Sequence, residues 1–326
     1  KTRLIPFQFK TSDTYILEFG NQIMRVFRND LQVLTSSAKT ITGITKANPG
    51  VLTSNSHGFS NGDEIFVDSI GGMTELNGRN YRVANSSTNT FTLTDLFGNA
   101  INTTSFTTYT SGGTATEIYE TATPYAEADL FDIRFVQSAD TMFLVHPSYD
   151  IRTLTRSDHN NWTFATLSIT GSPSPGLSGA NNRPSVVSFF EQRLVFGNTN
   201  NNPQTLFFSK NGDHNNFTVG TGDDDALIYT IASNQVNAIR YLSATRVLTV
   251  GTSGGEYVLT STNDGPVTPT TTLIRKYSNY GTSTIEPVQV ADVTLFVQRG
   301  ARKIREFKFV GDVNTGGYQA PDMTIL

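Results

Sequence analysis

Five stretches of this chain share one plan: a β-rich run, a short polar turn, then a second β-rich run. The first runs are Tyr15-Ile16-Leu17-Glu18-Phe19-Gly20, Met142-Phe143-Leu144-Val145-His146, Leu194-Val195-Phe196-Gly197, Val247-Leu248-Thr249-Val250-Gly251 and Leu295-Phe296-Val297-Gln298-Arg299. Their second runs are 22–27, 151–154, 205–209, 256–260 and 303–309. Counted at the last residue of each first run, the later intervals are 51, 54 and 48 residues. The first interval, 20 to 146, contains residues 40–117, about 78 residues of different character; without them it is also 48. A unit of roughly fifty residues with several short strands restricts the fold sharply. A small sheet has two apolar faces and cannot bury both alone, so neighbours must stack on it. Radial stacking gives a β-propeller of about five blades, and a linear array of β-sandwiches is the alternative. Runs such as 186–190 and 288–290 would precede the hairpins, and 163–169 and 226–232 would supply outer strands.

Composition agrees with an all-β class. There are 47 Thr, 27 Asn and 27 Gly, and Thr favours strands while Asn and Gly favour turns. Charged residues make up 16%, below the usual level of about 25%. Aromatic residues at 11% supply bulk for packed sheets and argue against disorder. The net charge of −4 gives no whole-chain footprint for tight nucleic-acid binding. With no cysteine, disulfides, thiolate chemistry and Cys-ligated metals are excluded. No apolar run reaches the length of a membrane span. Lys1-Thr2-Arg3-Leu4-Ile5-Pro6 is not a signal peptide, and without an initiator Met the chain reads as a fragment of something longer.

The organisation expected is a propeller of residues 1–39 and 118–326, with 40–117 inserted as a small β-barrel. Within the insertion, strands are expected at 40–45, 64–67, 79–83 and 91–94. Turns at Asn48-Pro49-Gly50, Asn61-Gly62-Asp63 and Gly71-Gly72 would separate them. His57-Gly58-Phe59-Ser60-Asn61-Gly62-Asp63-Glu64-Ile65 resembles the barrel motif of the first catalytic-cysteine half-domain of ubiquitin-activating enzymes. That small fold also recurs in phage structural proteins. The resemblance implies a fold and no ubiquitin chemistry, since this chain has no cysteine.

Catalytic constellations are weak. The four histidines (57, 146, 159, 214) are scattered, and no HExxH or phosphate loop exists. Asp158-His159-Asn160-Asn161-Trp162-Thr163 recurs 55 residues on as Asp213-His214-Asn215-Asn216-Phe217-Thr218. The bland reading is a blade turn with its aromatic tucked between sheets; metal binding by the two His is the sharp one. Both hexamers contain a glycosylation sequon, which carries no meaning in a bacterial host. Asp223-Asp224-Asp225 is the densest acidic run, read as a solvated turn or a weak cation site. A glycosidase would draw on Glu191, Glu256, Asp223, Arg193 and Arg246 at a central channel. The turn Ser209-Lys210-Asn211-Gly212-Asp213 is only weakly similar to the Asp-box of sialidases, since Asn211 stands where an Asp belongs. Sugar binding without hydrolysis would use an exposed Trp162 or tyrosines. Arg299-Gly300-Ala301-Arg302-Lys303-Ile304-Arg305 is the one basic cluster, expected on a hairpin tip with its charges splayed at a rim. It would serve as a solvated hairpin, an intersubunit rim or a transient phosphate contact. The prediction is therefore a protein with no catalytic, cofactor-binding or metal-binding residues.

A wider resemblance spans nearly all of the chain outside the insertion. Its residues are Arg3–Phe7 with Tyr15–Gly20, Asp129-Leu130-Phe131 with Val136–Asp140 and His146-Pro147, and Gln192–Gly197. Asp224-Asp225-Ala226 with Gly254-Gly255-Glu256, and Tyr318–Leu326, complete the set. Together they resemble the tail tubular proteins of short-tailed bacteriophages, also called nozzle or stabilisation proteins. The resemblance implies a structural virion part, made in the host cytoplasm, six copies of which form a ring. That ring would dock on a tail adaptor, meet fibre proteins and extend the channel through which DNA passes without sequence-specific contacts. The alternative is a carbohydrate-binding or glycoside-hydrolysing propeller.

Overall fold

Antiparallel sheet accounts for nearly all regular structure in the computed structural model, which describes residues 1–263, 265–311 and 317–324. Ile325 and Leu326, the end of the last resemblance stretch, lie outside the described residues. The chain opens with β1 (Arg3–Lys10), β2 (Asp13–Gly20), β3 (Ile23–Arg28) and the two-residue β4 (Leu31–Gln32). It then makes a seven-stranded sheet from β5 (Lys39–Thr40), β6 (Gly43–Ile44), β7 (Val51–Thr53), β8 (Glu64–Gly71), β9 (Arg79–Ala84), β10 (Thr90–Thr94) and β11 (Ser111–Glu117). β12 (Glu120–Ala122) returns to pair with β3, so the first blade has the order β1-β2-β3-β12. Entry to and exit from the insertion are tied by a bridge between Leu34 and Ile118 and by Thr35 N–H on the Glu117 carbonyl, 2.9 Å.

Four more blades follow in strict sequence order. They are β13 (Arg134–Ser138), β14 (Thr141–His146), β15 (Tyr149–Asp158) and β16 (Asn161–Thr166); then β17 (Val186–Phe190), β18 (Arg193–Gly197), β19 (Thr205–Phe208) and β20 (Leu227–Thr230). The next has β21 (Ile239–Ala244), β22 (Leu248–Thr252), β23 (Gly255–Ser261) and β24 (Thr272–Ser278), and the last β25 (Val288–Val290), β26 (Val293–Val297), β27 (Ile304–Val310) and β28 (Gly317–Gln319). Each is a four-stranded antiparallel meander, the blade of a β-propeller. The five hairpins legible in the sequence are the second and third strands of the five blades. The chain divides into two compact units, Lys1–Glu127 with Arg156–Trp162, and Ala128–Thr155 with Thr163–Leu326.

Within the second unit, the first strands of successive blades, β13, β17 and β21, lie side by side. The central strands show why their sequence is continuously apolar. Leu194 and Phe196 of β18 and Phe207 of β19 face the preceding blade, packing with Phe143 and Val145. Val195, Leu206 and Phe208 face the following blade, packing with Leu248, Val250 and Leu259. Alternation of two along each strand thus feeds two separate cores. Phe296 and Phe307 of the last blade pack on Tyr241 and Val258. The opposite face of that blade leaves Val288, Val290 and Ile304 exposed.

The insertion departs from its expected strand list. The strand expected over 40–45 is two short pieces, β5 and β6, separated by Ile41 and Thr42, with Ile41 turned into the barrel core. β7 and β11 were not anticipated: β11 reads Ser-Gly-Gly-Thr-Ala-Thr-Glu, with no apolar signal, and pairs along β8 over most of its length.

Candidate functional site

The ionisable residues singled out in the sequence do not assemble into one site. Arg193 begins β18 after a turn that holds Glu191 and Gln192 at φ of 46° and 61°. Its guanidinium is 2% exposed. Nη1 donates to the carbonyls of Ser209 (2.8 Å) and Asp225 (2.6 Å), and Nη2 to that of Asp223 (2.5 Å). The acidic run therefore acts here through its main chain, curling with the Ser209 segment round one buried cation. Burial pushes the Arg193 pKa down, and Asp224, Glu191 and Asp225 oppose that shift. Asp225 turns its own carboxylate to Lys210 (3.0 Å) and the Gly222 N–H (2.9 Å), which hold its pKa below the usual range. Glu191 Oε2 accepts from the Val267 N–H at 2.6 Å. Asp223 and Arg246 are exposed on loops.

Glu256, on β23 in the next blade, is fully buried. Oε2 accepts from the Ser278 hydroxyl, and Oε1 has no hydrogen-bond partner. Tyr241 is also buried, with its hydroxyl unpartnered. In register, Tyr241 faces Gly251 and Gly251 faces Glu256. The ring lies across Gly251, where a Cβ would stand 2.0 Å from Tyr241 Cε1. Burial pushes the Glu256 pKa up, against the Ser278 bond and the charges of Arg305 and Lys276. The folded chain therefore holds this proton to higher pH than the unfolded chain. Stability falls as pH rises from the ordinary glutamate value through the raised one, and the full cost stands above it. Glu256→Gln should raise the thermal midpoint at pH 8 and leave it nearly unchanged at pH 4. Calorimetry at the two pH values checks this; equal effects at both would refute the buried-carboxyl account.

The repeated hexamers insert aromatics. Trp162 is 5% exposed, wedged edge-on against Phe7 (4.8 Å between centroids) and Tyr15 (5.3 Å) of the first blade. It is therefore no exposed sugar platform. His159 Nδ1 and Arg156 Nε both meet the Tyr15 hydroxyl, at 2.5 and 2.9 Å, and the Arg156 guanidinium lies 4.4 Å over Phe9. In the second copy Phe217 stacks on Phe196 at 5.6 Å, and His214 meets Phe143 and Phe189 at 5.9 and 4.8 Å. His57 sits in the barrel core against Phe91. Among the described residues, no three His, Asp or Glu are grouped to hold a metal.

The basic cluster is also divided. Arg305 does not splay at a rim: it is buried, stacks 3.3 Å from the Tyr280 centroid and donates to the Ala320 carbonyl at 2.6 Å. Lys303 pairs with Asp322 at 2.6 Å. Arg299 stays exposed and reaches the Ser253 carbonyl at 3.2 Å.

The inserted barrel packs Ile41, Leu52, Ile65, Val67, Phe91 and Leu93 into its own core. Its motif residues have local tasks. His57 Nδ1 accepts from the Phe59 N–H (3.0 Å), and Asp63 Oδ2 from the Ser60 N–H (2.6 Å). Glu64 leaves the barrel to pair with Arg25 of β3 at 3.0 Å, and Arg25 also holds Glu120 at 2.6 Å. Residues 47–119 match the family of the ubiquitin-activating enzyme E1 FCCH domain. The match covers the FCCH-like barrel and none of the four later blades. At the tip of this barrel Asp95 Oδ1 accepts from the N–H groups of Phe97 and Asn99, at 2.9 and 2.8 Å. The fixed turn leaves Phe97 93% exposed beside Leu96.

No curated protein matches the chain. Among solved structures it is similar to an endosialidase of phage phi92, at 13% identity and a TM-score of 0.36, over 91% of this chain and 52% of that one. It is also similar to the Swd1 β-propeller domain of Myceliophteria thermophila, at 10% identity and 0.39, over 98% and 88%. A putative 6-phosphogluconolactonase from Bacteroides fragilis gives 12% and 0.39, over 98% and 82%. The chain thus spans about half the length of the phage protein. Likeness this distant carries no argument about activity or partners. Among the described residues no helix is long and apolar enough to cross a membrane.

Proposed function

We propose that this chain is a structural subunit of a bacteriophage tail, of the nozzle or tail-tube kind, that assembles as a ring round the DNA exit path. The observation that carries the reading is what the residues of the wider resemblance do. Gln192–Gly197 and Asp224-Asp225-Ala226 meet as the Arg193 clamp on main-chain carbonyls. In the Asp129-Leu130-Phe131 stretch, Asp129 accepts the Tyr149 hydroxyl at 2.6 Å. Each of these groups is spent on holding one blade's strands and loops together. With 24 Lys and Arg against 28 Asp and Glu, the chain has little with which to grip a passing polyanion. The FCCH-like barrel, with Leu96 and Phe97 at its tip, suits contacts to adaptor or fibre proteins, since exposed aromatic anchors dominate such interfaces.

Electron microscopy of the purified chain, alone and with isolated tail adaptor, tests the assignment. Rings of six on the adaptor are expected, with no release of sugar from host surface polysaccharide. Monomers that ignore the adaptor and hydrolyse that polysaccharide would overturn it in favour of the glycosidase alternative. Removing residues 40–117 should leave the ring and abolish the outward contacts.

A further inference from the structure

Three loops converge at one end of the fourth and fifth blades, all within the second unit. The turn between β22 and β23 is the hub. Ser253 N–H binds the Ala238 carbonyl (2.9 Å), Thr282 N–H binds the Thr252 carbonyl (2.9 Å), and Arg299 N–H binds the Gly281 carbonyl (2.9 Å). Between these loops lies an open cleft of about 610 Å³, within the range of small-ligand sites.

Its floor is made by two absent side chains. A Cβ on Gly254 would stand 2.1 Å from Asn237 Oδ1, and one on Gly255 would stand 2.3 Å from Lys276 Cε. The glycines leave room for the Asn237 amide and the Lys276 stem to lie across the turn. The Lys276 ammonium then rests 5.7 Å from the centre of the buried Tyr257 ring. Ser233 anchors the third loop, accepting from Gln204 Nε2 at 2.9 Å and from Asn237 Nδ2 at 3.3 Å. Arg299 completes the lining, and neither it nor Lys276 forms an ion pair among the described residues.

We infer that this cleft is a binding site for an acidic saccharide, with Lys276 and Arg299 on the carboxylate of one sugar unit. Two cations in one small cleft match one anionic group, and charge-assisted bonds to it are the strong contacts. Four amides share the lining with them, Asn234, Gln235, Asn237 and Asn279, beside the Tyr257 ring and the apolar Ile231 and Ile274. An amide both donates and accepts, which matches a sugar hydroxyl. A phosphodiester backbone offers acceptors only and would leave the amide carbonyls without donors. The site goes beyond the tail assignment and does not depend on it.

Calorimetric titration of the full chain with trigalacturonate tests the inference, with maltotriose and a twelve-residue oligothymidylate as the other arms. Trigalacturonate should bind and maltotriose should not. Lys276→Ala and Arg299→Ala should each weaken binding by about tenfold, the scale of one charge-assisted hydrogen bond. Both side chains are exposed, so the thermal midpoint should stay put. Absence of trigalacturonate binding, equal binding of maltotriose, or affinity unchanged in both variants would overturn the assignment. Displacement of trigalacturonate by the oligothymidylate with higher affinity would also overturn it, in favour of a nucleic-acid contact.

Discussion

Arg193→Ala is expected to destabilise the second unit by about 4 kcal/mol, among the largest effects a single substitution can have. The buried guanidinium serves three carbonyls on two segments: Ser209, and Asp223 and Asp225 of the acidic turn. Its loss leaves the buried Ser209 carbonyl and the partly buried carbonyls of the acidic turn unpaired, and a buried unpaired group costs about 1–3 kcal/mol. The acidic turn at 223–225 would also lose the cation that it wraps. Chemical denaturation read by far-ultraviolet circular dichroism checks the figure. Arg193→Lys should recover only part of the loss, because an ammonium cannot span carbonyls that a planar fork reaches together. Full recovery by Lys would show that charge alone mattered.

Gly251→Ala is expected to cost about 3 kcal/mol, the upper end for overpacking. The new methyl would stand 2.0 Å from Cε1 and 2.5 Å from Cζ of Tyr241. The ring cannot simply swing aside, since it is packed against Phe296 at 5.9 Å between centroids. In a Tyr241→Leu background the same methyl has room, and its cost should fall below about 1 kcal/mol. That coupling, close to 2 kcal/mol in a double-mutant cycle, is the measurable signature of direct contact. Additive effects would place the strain elsewhere.

The hairpins were legible because their strands are central. Leu194-Val195-Phe196 is apolar without a break since each side chain meets one of two cores, and no polar face interrupts the run. β11 was illegible for the opposite reason: its glycines and threonines carry ladder hydrogen bonds, which any residue but proline can make. The role of Arg193 was hidden because its acceptors are main-chain carbonyls, which leave no mark on composition. The aspartates at 223–225 drew attention to carboxylates when the contact lies in their backbone. The cleft residues come from four separate places, 231–237, 254, 274–279 and 299, so no spacing announces them. Gly254-Gly255 was visible as a pair, yet only the structure shows what a side chain would meet there: the Asn237 amide at Gly254, and Lys276 and the Ser278 carbonyl at Gly255.

The chain has a single tryptophan, and it is the wedge between Phe7 and Tyr15. Its emission is therefore a local probe. A shift to the red on heating would mark the opening of the contact between β16 and the first blade, while the three blades after β16 could melt or hold without altering the signal.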